Sequence, residues 1–94
     1  MDALYFEWDK GKGTANLKKH GIGFEEAKSV FLDDHAKLIP DPDHSIDEER
    51  FVLLGLSSNL KLLVVCYCYR SQFKVIRLIS ARKATPQEAK IYER

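Results

Sequence analysis

Hydrophobic and polar residues alternate with a period of two in some stretches and of three to four in others. From Ala3 to Trp8, Leu4, Phe6 and Trp8 fall on one side and Tyr5 and Glu7 on the other, which predicts a strand. Asp9 is the expected N-cap of a helix over Lys10 to His20, and Gly21 its stop. Gly11 and Gly13 weaken that helix by about 1 kcal/mol each relative to alanine. Its apolar anchor is thin, chiefly Leu17, and its surface is basic through Lys10, Lys12, Lys18, Lys19 and His20. Phe24, Ala27, Val30 and Phe31 share one helical face, so a second helix is expected over Phe24 to Leu32. Glu25 and Glu26 stand in its first turn, where the helix dipole favours them.

Ala36 to Ile39 reads as a short strand, and the prolines and aspartates over 40–47 as a polar loop. Phe51 to Leu56, Lys61 to Arg70 and Phe73 to Ser80 are three further strands. The middle one is apolar on both sides, as a central strand covered on both faces would be. Ser71 and Gln72 have the length of a two-residue hairpin loop without its favoured Asn-Gly chemistry. Thr85, Pro86 and Glu88 form a capping-box start for a last short helix. The predicted order is β-α-α-β-β-β-β-α. That is an α+β fold, with a small antiparallel sheet, helices packed on one of its faces, and a single domain over 1–94.

Charge changes this picture more than composition does. Residues 70–94 carry seven Lys/Arg against two Asp/Glu, a net of +5, while residues 21–60 carry three against nine, a net of −6. Such asymmetry points to a polyanion-facing surface in one half. The longest apolar run, Leu62 to Tyr69, is eight residues, far short of the roughly 18–20 that span a membrane. The opening MDALYFEWD has no basic start followed by an apolar stretch, so a cytoplasmic location is the expectation. Cys66 and Cys68 read as small buried core residues. His20, His35 and His44 have no metal-ligand spacing, and neither a metal nor a cofactor is expected.

Cations on a sheet remain. Arg77 shares the alternation of Val75 and Ile79 and emerges from an otherwise apolar side. Arg70 closes the preceding strand, and Arg82 and Lys83 leave the end of this one. Guanidinium forks bind phosphate oxygens two at a time. The competing role for each is a salt bridge to Glu48, Glu49, Glu88 or Glu93. Tyr67 and Tyr69 suit either base stacking or the core. RNA cleavage by attack of a 2′-hydroxyl needs a base, an acid and positive charge on the transition state, and no metal. Arg70, Arg77 and Arg82 are the candidate charge stabilisers, and His20, His44 and Glu49 the candidate proton-transfer groups.

Three motifs, FEWDKGKGTANLKKHGIGFEEA, DPDHSIDEERFVLLGLS and LISARKATPQEAKIYE, closely resemble the BrnT family of bacterial toxins and occur in order at fitting distances. The resemblance implies a RelE-like ribonuclease fold whose RNA cleavage arrests translation. It implies as partner a BrnA-like ribbon-helix-helix antitoxin, through which alone operator DNA is bound. Carried over by motif, the region covers Arg77, Arg82 and Lys83 with Arg70, the N-x-x-K-H-G set Asn16, Lys19, His20 and Gly21, and the acidic-histidine loop at Asp41, Pro42, His44, Ser45, Glu49 and Arg50. The catalytic set expected on this basis is Arg70, Arg77, Arg82, His20 and Glu49; Lys18, Lys19, Lys83, His44 and Arg50 are expected to contact RNA. A non-catalytic module acting with the antitoxin in repression is the alternative. Expression of the chain alone distinguishes the two, because only a catalytic toxin arrests growth.

Overall fold

The computed structural model describes residues 5–41, 49–72 and 74–94. Five strands form one sheet: β1 (Tyr5–Glu7), β2 (Lys37–Ile39), β3 (Phe51–Leu56), β4 (Leu62–Arg70) and β5 (Val75–Lys83), in the spatial order β1-β5-β4-β3-β2. Three helices accompany it: α1 (Lys10–His20), α2 (Phe24–Ser29) and α3 (Pro86–Tyr92), with a 3-10 turn over Val30–Leu32 ending α2. The predicted element order stands. The sheet differs from expectation in being mixed: β2 to β5 are an antiparallel meander, and β1 lies parallel to β5. Parallel pairing needs a long connection between strands. After β1 the chain crosses through both helices before it enters the sheet again at the far edge.

On the first face, Leu63, Val65 and Tyr67 of β4 and Ile76, Leu78 and Ala81 of β5 pack against Ile22, Phe24, Ala27 and Val30. Edge-to-face contacts at 5.0 Å between Phe31 and Tyr67 and at 5.2 Å between Phe6 and Phe31 extend this core to β1. Tyr67 and Tyr69 therefore belong to the core side, with Phe51 between them. Gly55 of β3 admits the end of α2: a Cβ there would stand 2.8 Å from Val30 Cγ1 and 2.9 Å from Ala36 Cβ.

The last helix is on the other face, a correction to the expectation that all helices share one. Val52, Leu54 and Val64 point there, covered by Ala84 and Tyr92 at the two ends of the α3 segment. A central strand apolar on both sides needs cover on both, and α1 and α2 supply only one. Polar contacts hold α3 in place. Tyr92 donates to Asp33 Oδ2 at 2.7 Å, and Lys37 Nζ donates to the carbonyls of Ile91 and Arg94 at 2.9 and 2.8 Å.

Two local expectations also change. The connection between Arg70 and its partner Val75 is four residues, 71–74, not two, and Ser71 and Gln72 take φ of 51° and 58°. The last strand runs on to Lys83 and pairs with the equally long β4 from Arg70–Val75 to Leu63–Lys83, save at Ile79. The polar loop expected over 40–47 falls mostly outside the described residues.

Candidate functional site

The arginines meet through a fault in strand pairing. Arg77 and Arg82 are five residues apart, and in an uninterrupted strand an odd spacing puts side chains on opposite faces. Along β5, however, Leu78 pairs with Tyr67 and Ser80 with the adjacent Cys66, leaving Ile79 as an extra residue. This bulge resets the alternation. Arg77 then lies beside Cys68 and Arg82 beside Val64, two β4 residues on the same face. The expected common face of Arg77 and Ile79 is thereby replaced by a common face of Arg77, Ser80 and Arg82. Arg70, opposite Val75, completes the row at the hairpin end. The resulting arginine face is the one opposite the α1–α2 core. α3 covers its β2–β3–β4 end, and no described helix lies over its β1–β5 end.

A cavity of about 70 Å³ opens on this face, lined by Asp41, Arg50, Val52, Val64, Cys66, Ser80 and Arg82. Its floor is the β3–β4–β5 sheet, and two guanidinium-bearing residues and one carboxylate stand around it. Burial pushes the Cys66 thiol above its ordinary pKa, Asp41 adds to the rise, and Arg50 opposes it. The shift favours the neutral thiol. Cys66 and Cys68 are both free.

Carboxylates hold two of the arginines. Glu88 grips Arg82 with both oxygens, Nη1 to Oε1 at 2.8 Å and Nη2 to Oε2 at 3.0 Å, and Arg82 Nη1 also donates to the Lys83 carbonyl at 3.2 Å. The same Glu88 Oε1 accepts from Thr85 N at 2.8 Å, so one carboxylate caps α3 and orients the arginine. Hydrogen bonds from Arg82 are the main reason the Glu88 carboxyl is held down at about 2. Arg77 donates to Glu7 Oε2 at 2.7 Å, and this bond raises its already high pKa. The salt-bridge role considered from sequence therefore holds for both. Glu88 was among the partners named there, whereas Glu7 was not, because only the parallel β1–β5 pairing brings it alongside Arg77.

The family model described as "Ribonuclease toxin, BrnT, of type II toxin-antitoxin system" matches residues 8–88. The chain belongs to the BrnT family. Among solved structures it is similar to the crystal structure of the Brucella abortus ribonuclease toxin BrnT, with a TM-score of 0.67 and 22% identity over 88% of this chain and 99% of that one. At that identity the likeness concerns the fold. No curated protein matches the chain.

Two residues of the N-x-x-K-H-G motif, Asn16 and Gly21, have architectural roles in this chain. The buried Asn16 side chain donates to the carbonyls of Ile22 and Ala81, both at 2.8 Å, and accepts from Ala81 N at 3.1 Å. β1 covers β5 only as far as Arg77, so the Asn16 amide satisfies backbone groups that a longer β1 would otherwise have met. Gly21 ends α1 at φ 73°, a left-handed conformation that costs other residues a steric penalty. His20 closes α1 and is not among the residues lining the cavity; Lys18 and Lys19 are exposed on the same last turn. Lys83 pairs with Leu63 and so emerges on the core face, apart from Arg82. Glu49 is exposed next to Arg50, and His44 lies outside the described residues. Of the polar lining residues, Asp41 was placed at the site by motif but in neither the catalytic nor the RNA-contacting set, and Ser80 was in none of them. Asp41 stood in a family motif, but nothing local marked Ser80, which depends on the bulge.

Among the described residues, no group of three or more His, Cys, Asp or Glu is placed to hold a metal ion, and no helix is long and apolar enough to cross a membrane.

Proposed function

We propose that this protein is the toxin of a type II toxin–antitoxin pair and cleaves RNA without a metal, thereby arresting translation in the cytoplasm. The observation that carries the reading is the family match over residues 8–88, joined to the gathering of Arg50, Arg70, Arg77 and Arg82 on one sheet face. We also read the strand, two helices and antiparallel meander as a RelE-like ribonuclease scaffold in one domain.

The chemistry follows from the residues at the cavity. A phosphodiester seated between Arg50 and Arg82 meets two guanidinium groups, which stabilise the charge that builds on the phosphorane oxygens as the 2′-hydroxyl attacks. Glu88 fixes Arg82 in advance, so little reorganisation is needed at the moment of reaction. Asp41 in the cavity wall, or Glu49, which precedes Arg50 in the chain, takes the 2′-hydroxyl proton as the 2′-oxygen bonds to phosphorus; the P–O5′ bond breaks, and the 5′-oxygen leaves with a proton from water, giving a 2′,3′-cyclic phosphate. His20 would reach this reaction only if the RNA runs along the last turn of α1. The antitoxin is a BrnA-like ribbon-helix-helix protein, and operator DNA is bound through it.

The carboxylate pairing of Arg77 and Arg82 favours a second reading, a non-catalytic module whose cations are already satisfied. Purified protein incubated with RNA in chelator decides between them. Cleavage that persists in chelator and is lost in Arg82→Ala supports the toxin reading. Intact RNA, together with unimpaired growth on expression without the antitoxin, overturns it.

A further inference from the structure

The uncovered end of the arginine face carries an aromatic ring that the cleavage chemistry does not use. Tyr5 stands on β1 opposite Val75, and Val75 in turn stands opposite Arg70, so Tyr5, Val75 and Arg70 form one row across three strands. Phe6 packs into the core, so its neighbours Tyr5 and Glu7 point to the arginine face. Tyr5 is 65% exposed there. The next row holds Glu7, Arg77 and Cys68. Two strand spacings separate Tyr5 from Arg70 by about 10 Å, and Arg70 is about 13 Å along β4 from the cavity residue Cys66.

We propose that Tyr5, Arg70 and Arg77 form a subsite for a single-stranded RNA nucleotide flanking the cleaved bond. The inference rests on the ribonuclease reading for its substrate, but Tyr5 itself lies outside the family match at residues 8–88. An open sheet face with an exposed aromatic ring suits a splayed single strand, because every base offers a π-face to stack on. Arg70 forms no ion pair among the described residues and presents its charge to a phosphate. Arg77 has a different part. Glu7 offsets its charge and holds it at 2.7 Å, which leaves a fixed guanidinium next to the Tyr5 row and suited to stacking as much as to ion pairing. The subsite and the cavity share one face, so a strand entering at Tyr5 continues toward Arg50 and Arg82.

The test is binding of the full-length protein to a short labelled 2′-O-methyl RNA, which the 2′-hydroxyl mechanism cannot cleave. Tyr5→Ala is expected to weaken binding about tenfold, and Tyr5→Phe, which keeps the ring, to leave it unchanged. Arg70→Ala should weaken binding and reduce its salt dependence by about one phosphate contact. Wild-type binding by Tyr5→Ala, or equal loss in Tyr5→Phe, overturns the subsite. Wild-type protein that binds this RNA with the stated Tyr5 dependence but cleaves no RNA sustains the subsite and overturns the ribonuclease reading instead. Failure of the wild type to bind overturns both.

Discussion

On the core face of the sheet, β4 and β5 meet α1 and α2 through aliphatic and aromatic side chains, with Ile22, Leu63, Val65 and Ala81 wholly excluded from water. On the opposite face, the same two strands present Arg70, Arg77, Arg82, Ser80 and two thiols, and among the described helices only α3 covers part of it. The strands are shared, so neither composition nor strand propensity accounts for the difference. Cover does: two elements close one side with apolar contacts, while one short helix held by Glu88, Tyr92 and Lys37 partly closes the other. Hydrophobic burial supplies stability on the first face. On the second, guanidinium groups stay within reach of solvent, and carboxylates fix where they point.

If this division holds, substitutions on the two faces separate stability from activity. Leu63→Ala removes a wholly buried side chain at the centre of the core and should cost about 3–4 kcal/mol, read as a fall in the denaturant midpoint. A loss below about 1 kcal/mol would mean that this face is not the stabilising one. Asn16→Ala strips the partners from the Ala81 N–H and two buried carbonyls and should cost about 3 kcal/mol with no apolar area to blame. Amide exchange at Ala81 should accelerate with it.

The arginine face should behave in the opposite way. Arg82→Ala is expected to lower RNA cleavage about 100-fold, or about 2.7 kcal/mol in the transition state, while unfolding free energy changes by about 1 kcal/mol. Equal damage to both quantities would erase the distinction between the faces. The smallest effect concerns acid. The Glu88 carboxyl sits at about 2 in the folded protein against an ordinary 4.5, chiefly through Arg82. A depressed folded pKa stabilises above the unfolded value and is lost as pH falls through the folded one. Its contribution of about 1–2 kcal/mol, discounted for partial solvent screening, should therefore be complete above about pH 4.5 and fade toward pH 2. Glu88→Gln keeps a capping side chain and should flatten that part of the stability profile; an unchanged profile would remove Glu88 as its source.

Most of the elements were legible because they depend on neighbours in sequence. Asp9 and Gly21 bound α1, Thr85, Pro86 and Glu88 start α3, and the two-sided apolar run of β4 identifies the central strand. Periodicity and capping are local, and local energies decide them. The basic residues of the last strand were also visible, although not which of them would meet.

Phe73 to Lys83 reads in one dimension as an apolar strand with cations at odd and even positions. By itself the sequence determined that a pairing strand would form within this stretch and that it would carry charge. Only the tertiary structure decided that Arg77 and Arg82 share a face while Lys83 departs to the other, because the extra residue Ile79 exists only relative to β4. It likewise placed Glu7 beside Arg77, Asn16 against Ala81, and α3 over the second face. Each of these depends on the register between segments far apart in the chain. Register is set by summed pairing and burial over the whole sheet, a quantity that no single stretch contains.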